Sequence, residues 1–337
     1  MAKDLRQRKR YLGEVCCPFP RLIPLFQGQH TRLEGMTWRR DPRTWMAIAG
    51  VLLLWASAFA GIRAGMRLTP TGGIGADGYG PGELALLRFA TASVALALYG
   101  LATRMRLPAR SDLPGIGLAG LLGISIYHVA LNFGEVTVQA GAASLLISAA
   151  PVFTALLSTI FLQGRLTRVG WGGILLAFAG VALIALSGGG GLRFTPGALL
   201  ILLAAVVTAA FFILSKKSLR RFTALEFTSY AIWAGTLPLF IFLPGLIRQF
   251  HTAAPPATVA VIYLGIFPAA IAYVLWNYAL SRMPASLLSS FLYLSPVIAS
   301  FIAWVWLGEV PSPLTILGGA IAIMGVILVQ TKGQHIS

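Results

Sequence analysis

The chain has 337 residues, of which 57% are hydrophobic and only 11% charged, with a mean hydropathy of +0.80. Soluble domains carry about 25% charged residues, so a water-soluble fold is excluded: it could not hide this much apolar surface, which a bilayer solvates. The net charge of +16 does not signal nucleic acid, because the basic residues are scattered through short connections between apolar runs.

In chain order, residues 1–44 are a polar lead segment, with Lys3, Arg6, Arg8, Lys9 and Arg10 ahead of Pro18, Pro20 and Pro24. No apolar run followed by a small-residue cleavage site occurs there, so the segment does not read as a secretory signal. Met36 opens a basic lead-in to the first span. The expectation is that translation starts there and that residues 1–35 are not native; a disordered cytoplasmic tail is the other reading. Cys16 and Cys17 are adjacent, which rarely permits a disulfide, and no metal-ligand spacing accompanies them.

Ten apolar segments follow, near 45–66, 84–102, 113–133, 137–161, 169–187, 196–214, 225–247, 256–279, 285–307 and 314–330. Each has roughly the 17–25 residues that a helix needs to cross about 30 Å of hydrocarbon, and the alternation of spanning strands is absent. The predicted fold class is an all-α polytopic membrane protein with ten transmembrane helices. Short loops predicted on one side hold Arg104, Arg106, Arg110, Arg165, Arg168, Lys216, Lys217, Arg220, Arg221 and Arg282. Those on the other hold Arg67, Arg193 and Arg248, with Arg63 near a span end. The bias predicts cytoplasmic N- and C-termini.

A shift of 145 residues superposes much of the chain on itself without a gap. Asn132 falls on Asn277, Phe133 on Tyr278, Ala140 on Ala285, Ser144 on Ser289, Pro151 on Pro296, Gly173 on Gly318 and Gly180 on Gly325. The predicted units are a five-helix repeat over 45–187, a Gly-rich linker over 188–195, a second repeat over 196–330 and a cytoplasmic C-terminus over 331–337. An odd number of spans per unit makes the repeats inverted, an arrangement that in transporters places the binding site near the midplane.

With these features the sequence resembles the EamA-type members of the drug/metabolite transporter superfamily. The resemblance is carried by Trp55-Ala-Ser-Ala-Phe59, Leu87-Arg88-Phe89, Ala140 to Pro151, Ala285 to Pro296, and Leu307-Gly308-Glu309 followed by Gly318 and Gly325. It covers residues 45–330 and implies export or exchange of small metabolites, often amino acids, through a central cavity. One departure is that the family's Gly-Glu after the fourth span reads Gln163-Gly164, so the glutamate survives only as Glu309. That glutamate is expected to serve a helix end.

His128 lies inside the third span, where an ionisable side chain is a functional candidate; a neutral histidine bonded between helices is the alternative. Its repeat equivalent is Tyr273. Asn132 and Asn277 are interhelical ties or substrate contacts. Tyr127, Trp276 and Tyr293 are cavity candidates or interfacial anchors, and Trp55, Ser57 and Phe59 are cavity candidates deep in the first span. Arg88 either snorkels to the interface or attracts a substrate carboxylate, and Arg63 and Lys216 are expected to snorkel. Pro151 and Pro296 are expected to bend their helices around one cavity, or to be packing kinks.

No Asp or Glu is expected mid-span, which removes the usual carboxylate for ion coupling. No nucleotide-binding loop occurs, and neither a cofactor nor a metal is expected. The predicted function is export or exchange of small metabolites, with amino acids the leading class, by alternating access in a bacterial cytoplasmic membrane. The expected partners are a small-molecule substrate and the lipid bilayer, in a monomer or homodimer. An intramembrane enzyme and a passive channel for small solutes are the alternatives. An enzyme would need a nucleophile with a base, yet His30, His251 and His335 lie in the tail or loops, and Ser144, Ser148 and Ser289 lack a nucleophile elbow.

Overall fold

A computed structural model describes residues 41–68, 73–161, 165–186, 195–283, 288–289, 291–332 and 334–335. Met36, the two cysteines, Gln163-Gly164, Ala285 and the glycine run 188–191 lie outside them.

Several helices begin on a proline, whose missing amide hydrogen would have no partner in a first turn anyway. These are α1 (Pro42–Met66), α2 (Pro81–Ala102), α6 (Pro196–Ser218), α8 (Pro255–Arg282) and α10 (Pro313–Lys332). Between them lie α3 (Arg110–Glu135), α4 (Ala140–Ile147 continuing as Ala150–Phe161), α5 (Arg168–Leu186), α7 (Ala224–Phe250) and α9 (Phe291–Leu307). Thr223 and Glu226 form a reciprocal cap on α7. Asp41 caps α1, and the Thr44 hydroxyl bonded to it holds its carboxyl below the usual range. Among the described residues, α1, α2, α3, α6, α7 and α8 are long and apolar enough to cross a membrane, and α4, α5, α9 and α10 contain shorter apolar helices. Arg165–Leu166 pairs antiparallel with Gln334–His335 in a two-residue ladder.

The two halves meet as antiparallel partners. On α5 and α10, a β-carbon at Gly180 would stand 2.3 Å from the Ala322 nitrogen and 2.5 Å from the Gly318 carbonyl oxygen. One at Gly325 would stand 2.3 Å from the Ala177 nitrogen and 2.6 Å from the Gly173 oxygen. These are the same contacts after the 145-residue shift. As α5 advances from 173 to 180, α10 recedes from 325 to 318, so equivalent helices run in opposite directions. The α2–α7 pair does the same: Gly82 faces Phe242, Thr236 bonds the Phe89 carbonyl, and Trp233 bonds the Ser93 carbonyl. The remaining contacts are exchanged between halves, with α1 against α8 and α9, and α6 against α3 and α4.

Neither α4 nor α9 is a continuous α-helix. α4 is interrupted at Ser148 and Ala149, and α9 starts as a 3₁₀ turn, Phe291–Leu294, before continuing as Ser295–Leu307. Pro151 and Pro296 are each the second residue of the following segment, where the missing donor strands no carbonyl.

The α5–α10 seam predicts that Gly180→Ala and Gly325→Ala each destabilise by about 1–3 kcal/mol, the usual cost of overpacking. Gly172→Ala meets no atom within 4 Å and should be neutral. Thermal unfolding in detergent reads the difference, and equal melting of all three variants would refute so close a seam.

Candidate functional site

The centre of the molecule is where α3 faces α8. Each helix widens into a π-helical stretch, Leu121–Ile126 in α3 and Gly265–Ile271 in α8, at nearly equivalent repeat positions. In α8, Pro268 cannot donate to the preceding turn, which accounts for the widening. In α3, Gly123 leaves room for the Phe211 ring, 2.3 Å from where its β-carbon would stand. Gly123 and Pro268 are themselves repeat equivalents, and each carbonyl accepts from an aromatic side chain. The Tyr273 hydroxyl donates to Gly123 at 3.2 Å, and Trp55 Nε1 donates to Pro268 at 3.1 Å.

His128 Nε2 lies 3.0 Å from the Tyr273 hydroxyl, so the two repeat-equivalent side chains touch across the pseudo-symmetry axis. The Tyr273 hydroxyl can donate to the Gly123 carbonyl while accepting from His128 Nε2, the arrangement that satisfies both contacts at once. Nδ1 of His128 has no hydrogen-bond partner among the described residues.

A cavity of about 60 Å³ opens beside this contact. It is small against the roughly 300–1,000 Å³ of sites for drug-sized ligands. Of the sequence candidates, Trp55, Phe59, Arg88, Tyr127, His128 and Tyr273 line it. Trp276 does not; it packs behind the wall, 5.0 Å from the Trp55 ring and 4.7 Å from Phe212. Ser57 bonds the Tyr263 hydroxyl at 2.7 Å and so ties α1 to α8. Tyr293 packs against Val152, Ile174, Ala177 and Val326. Asn132 donates to the Pro81 carbonyl and Asn277 to the Thr228 hydroxyl, each binding its helix to the start of the preceding one.

Sequence reasoning missed the hydroxyls of Ser144, Ser148, Thr208 and Ser295 and the rings of Phe211 and Phe212, all on the cavity wall. Isolated serines in an apolar helix carry no signal of which face they occupy. The repeat could have singled out Ser144, because its equivalent is Ser289.

Arg88 does not reach an interface. The residue is 1% exposed, its guanidinium carbon is 5.4 Å from the Phe89 ring centre, and it lines the cavity. Neither its Nε nor its Nη1 has an acceptor among the described residues. A buried cation without acceptors is costly, and the guanidinium fork suits a carboxylate.

Arg63 and Lys216 do not snorkel as expected. Arg63 donates to the carbonyls of Glu135 (2.7 Å) and Val138 (3.0 Å), and Lys216 to those of Leu280 (2.6 Å) and Met283 (3.0 Å). The accepting carbonyls are the same positions in the two repeats: each cation caps the C-terminal end of α3 or α8, where carbonyls have no intrahelical donor. Glu309 joins only the first of these posts. It is paired with Arg63 and accepts the Ala140 amide at 3.1 Å, so it does serve a helix end, that of α4. Gly308, at φ +69, turns the chain out of α9 to present it.

A further departure concerns Glu135. The sequence placed it beyond the third span, whereas it is the last residue of α3 and fully buried.

Asn132→Leu and Asn277→Leu should lower stability by about 0.6–1.7 kcal/mol each without changing substrate affinity more than about twofold, since neither lines the cavity. Unfolding curves and transport saturation measured together check this; a large affinity loss would place the asparagines at the site.

The model of the EamA-like transporter family matches twice, over residues 43–186 and 195–331. The chain is 44% identical over 286 residues to a probable terminal-alkyne amino-acid exporter of Streptantibioticus cattleyicolor, covering 85% of this chain and 93% of the relative. It is 40% identical to the uncharacterized transporter YdfC of Bacillus subtilis, covering 83% and 88%, and 32% identical to an uncharacterized transporter of Archaeoglobus fulgidus, covering 86% and 99%. One crystal structure aligns with TM-score 0.59 at 22% identity, over 86% of this chain and 96% of the other, a likeness of fold alone. Apolar helices, a repeated family match and transporter relatives identify the chain as a multi-pass membrane protein of the EamA-like transporter family.

Proposed function

We propose that this transporter exports amino acids or closely related small carboxylates by alternating access, with Arg88 binding the substrate carboxylate. The single observation that carries the reading is the Arg88 guanidinium: buried, facing the cavity, and lacking acceptors on two of its nitrogens among the described residues. The rings of Trp55, Phe59, Tyr127, Phe211 and Phe212 offer apolar surface to a side chain, and His128 Nδ1 offers an acceptor to an amino group. The name of the Streptantibioticus relative points to the same substrate class.

The small volume suits a closed state between two open ones. Antiparallel equivalent helices support that cycle, because opening at one end can mirror opening at the other. The distribution of Lys and Arg supports both termini on the cytoplasmic side, and the bacterial relatives support a bacterial cytoplasmic membrane.

Counterflow of radiolabelled amino acids in proteoliposomes tests the reading. Free acids should exchange and the matching amides should not. Arg88→Met should cut kcat/KM for the acid by about 10- to 100-fold, the worth of a hydrogen bond to a charged group, and should erase the preference over the amide. Trp55→Ala should weaken binding of bulky amino acids more than of glycine. Full exchange by Arg88→Met would remove Arg88 from the site, and no exchange of any amino acid by folded protein would overturn the substrate class.

A further inference from the structure

Glu135 is a titratable group that the cavity does not use. It ends α3 with 0% exposure, and neither carboxyl oxygen has a hydrogen-bond partner among the described residues. The charged groups that reach it are Arg63 from α1, Glu309 from the end of α9, and Arg88 from α2. From α6, the contacts at the preceding Gly134 are Ile201 and the Gly197 backbone, which bring no charge.

The nearest cation is already committed. Arg63 Nε pairs with Glu309, and its Nη1 serves the carbonyls of Glu135 and Val138. Glu309 is held in turn by the Ala140 amide. One guanidinium therefore pairs with the Glu309 carboxylate and with the backbone carbonyl of Glu135, and leaves the Glu135 carboxyl unpaired among the described residues. A second negative charge, buried without donors, would cost several kcal/mol.

The pseudo-symmetry sharpens this. The repeat equivalent of Glu135 is Leu280 and that of Glu309 is Gly164, so the end of the molecule at Lys216 has neither acid. Two otherwise matching posts differ by a carboxyl pair at one end only.

We propose that Glu135 is a proton-binding site coupled to closure of the end of the carrier sealed by Arg63 and Glu309. As that end closes, the Glu135 carboxylate takes a proton from water and an O–H bond forms. As it opens, the bond breaks, the proton returns to water on the same side, and the carboxylate is solvated beside Arg63. The inference rests on the alternating-access reading, and it makes the closed state at this end favoured by acid on that side.

The test reads the gate without substrate. The full chain carries Val138→Cys as reporter, with Cys16→Ser and Cys17→Ser, and its labelling by a membrane-impermeant maleimide is timed between roughly pH 5 and 8. Val138 is 8% exposed. The rate is divided by that of the same reporter carrying Glu135→Gln, which cancels the thiol's own titration. The ratio should rise with pH, by up to about tenfold per pH unit, the limit for one linked proton, while Glu135→Gln stays poorly labelled throughout. Glu309→Gln, which frees Arg63 for Glu135, should flatten the rise.

A ratio independent of pH would overturn the proposal, as would a Glu135→Gln protein that labels fast at every pH. A ratio set by sodium at fixed pH would overturn it in favour of a metal-cation site. Should Glu135→Gln fail to fold by gel filtration, the wild type is compared with Glu309→Gln, and equal slopes would be the refuting result. Counterflow on the same preparations separates the two readings: a pH-linked gate without amino-acid exchange removes the substrate proposal and leaves this one.

Discussion

Every carbonyl of a chain buried in hydrocarbon needs a donor, and helix ends are where donors run out. At the C-terminal ends of α3 and α8, this protein fills that need with a cation lent by another helix, Arg63 of α1 and Lys216 of α6. Each capping bond ties together two helices that are distant in the chain. The same constraint governs the interior, where the two π-helical stretches aim the Gly123 and Pro268 carbonyls at the Tyr273 hydroxyl and the Trp55 indole. The aromatic wall of the cavity is thus held by backbone carbonyls that an ideal helix would have used internally.

Those bonds explain why the cavity sits where it does. Widening two facing helices at equivalent positions creates room near the middle of the molecule, and the breaks in α4 and α9 add room beside it. The residues that line the cavity gather at these irregularities: Gly123, Tyr127 and His128 at one π stretch, Tyr273 after the other, and Ser148, Leu292 and Ser295 at the breaks. The tight glycine seam between α5 and α10 does the opposite work. There the backbones touch through small residues, a packing that leaves no side-chain space for a ligand. The molecule therefore combines a closely packed seam with a loosened centre.

The duplicated architecture is nearly symmetric in packing and unequal in charge. Arg63 has a carboxylate partner and Lys216 has carbonyls alone among the described residues. Equal halves would favour neither end of the molecule. The acids Glu135 and Glu309, present at one end, break that equality, and Arg88 in the cavity supplies a cation that the second half does not match at the centre.

The membrane class, the 145-residue repeat and the family resemblance were legible in the sequence, because apolar composition and self-similarity are properties of the chain alone. So were Trp55, Phe59, Arg88, Tyr127, His128 and Tyr273 as cavity candidates, since polar, aromatic or charged residues inside apolar spans are few enough to notice. The faces they occupy were not legible. A span apolar all round has no amphipathic stripe to show which side meets protein and which meets lipid, so Asn132, Asn277, Trp276 and Ser57 looked as eligible as the residues that line the cavity. Snorkelling was expected of Arg63 and Lys216 because their carbonyl partners lie 64 to 75 residues away. Glu135 appeared to belong to a loop because hydropathy falls at the end of α3, whereas the helices packed around it close the site over. Composition and repeat determine that this chain crosses a membrane as two related halves; only the packing of those halves decides which polar groups face each other, because hydrogen bonds and burial depend on distances that sequence order does not contain.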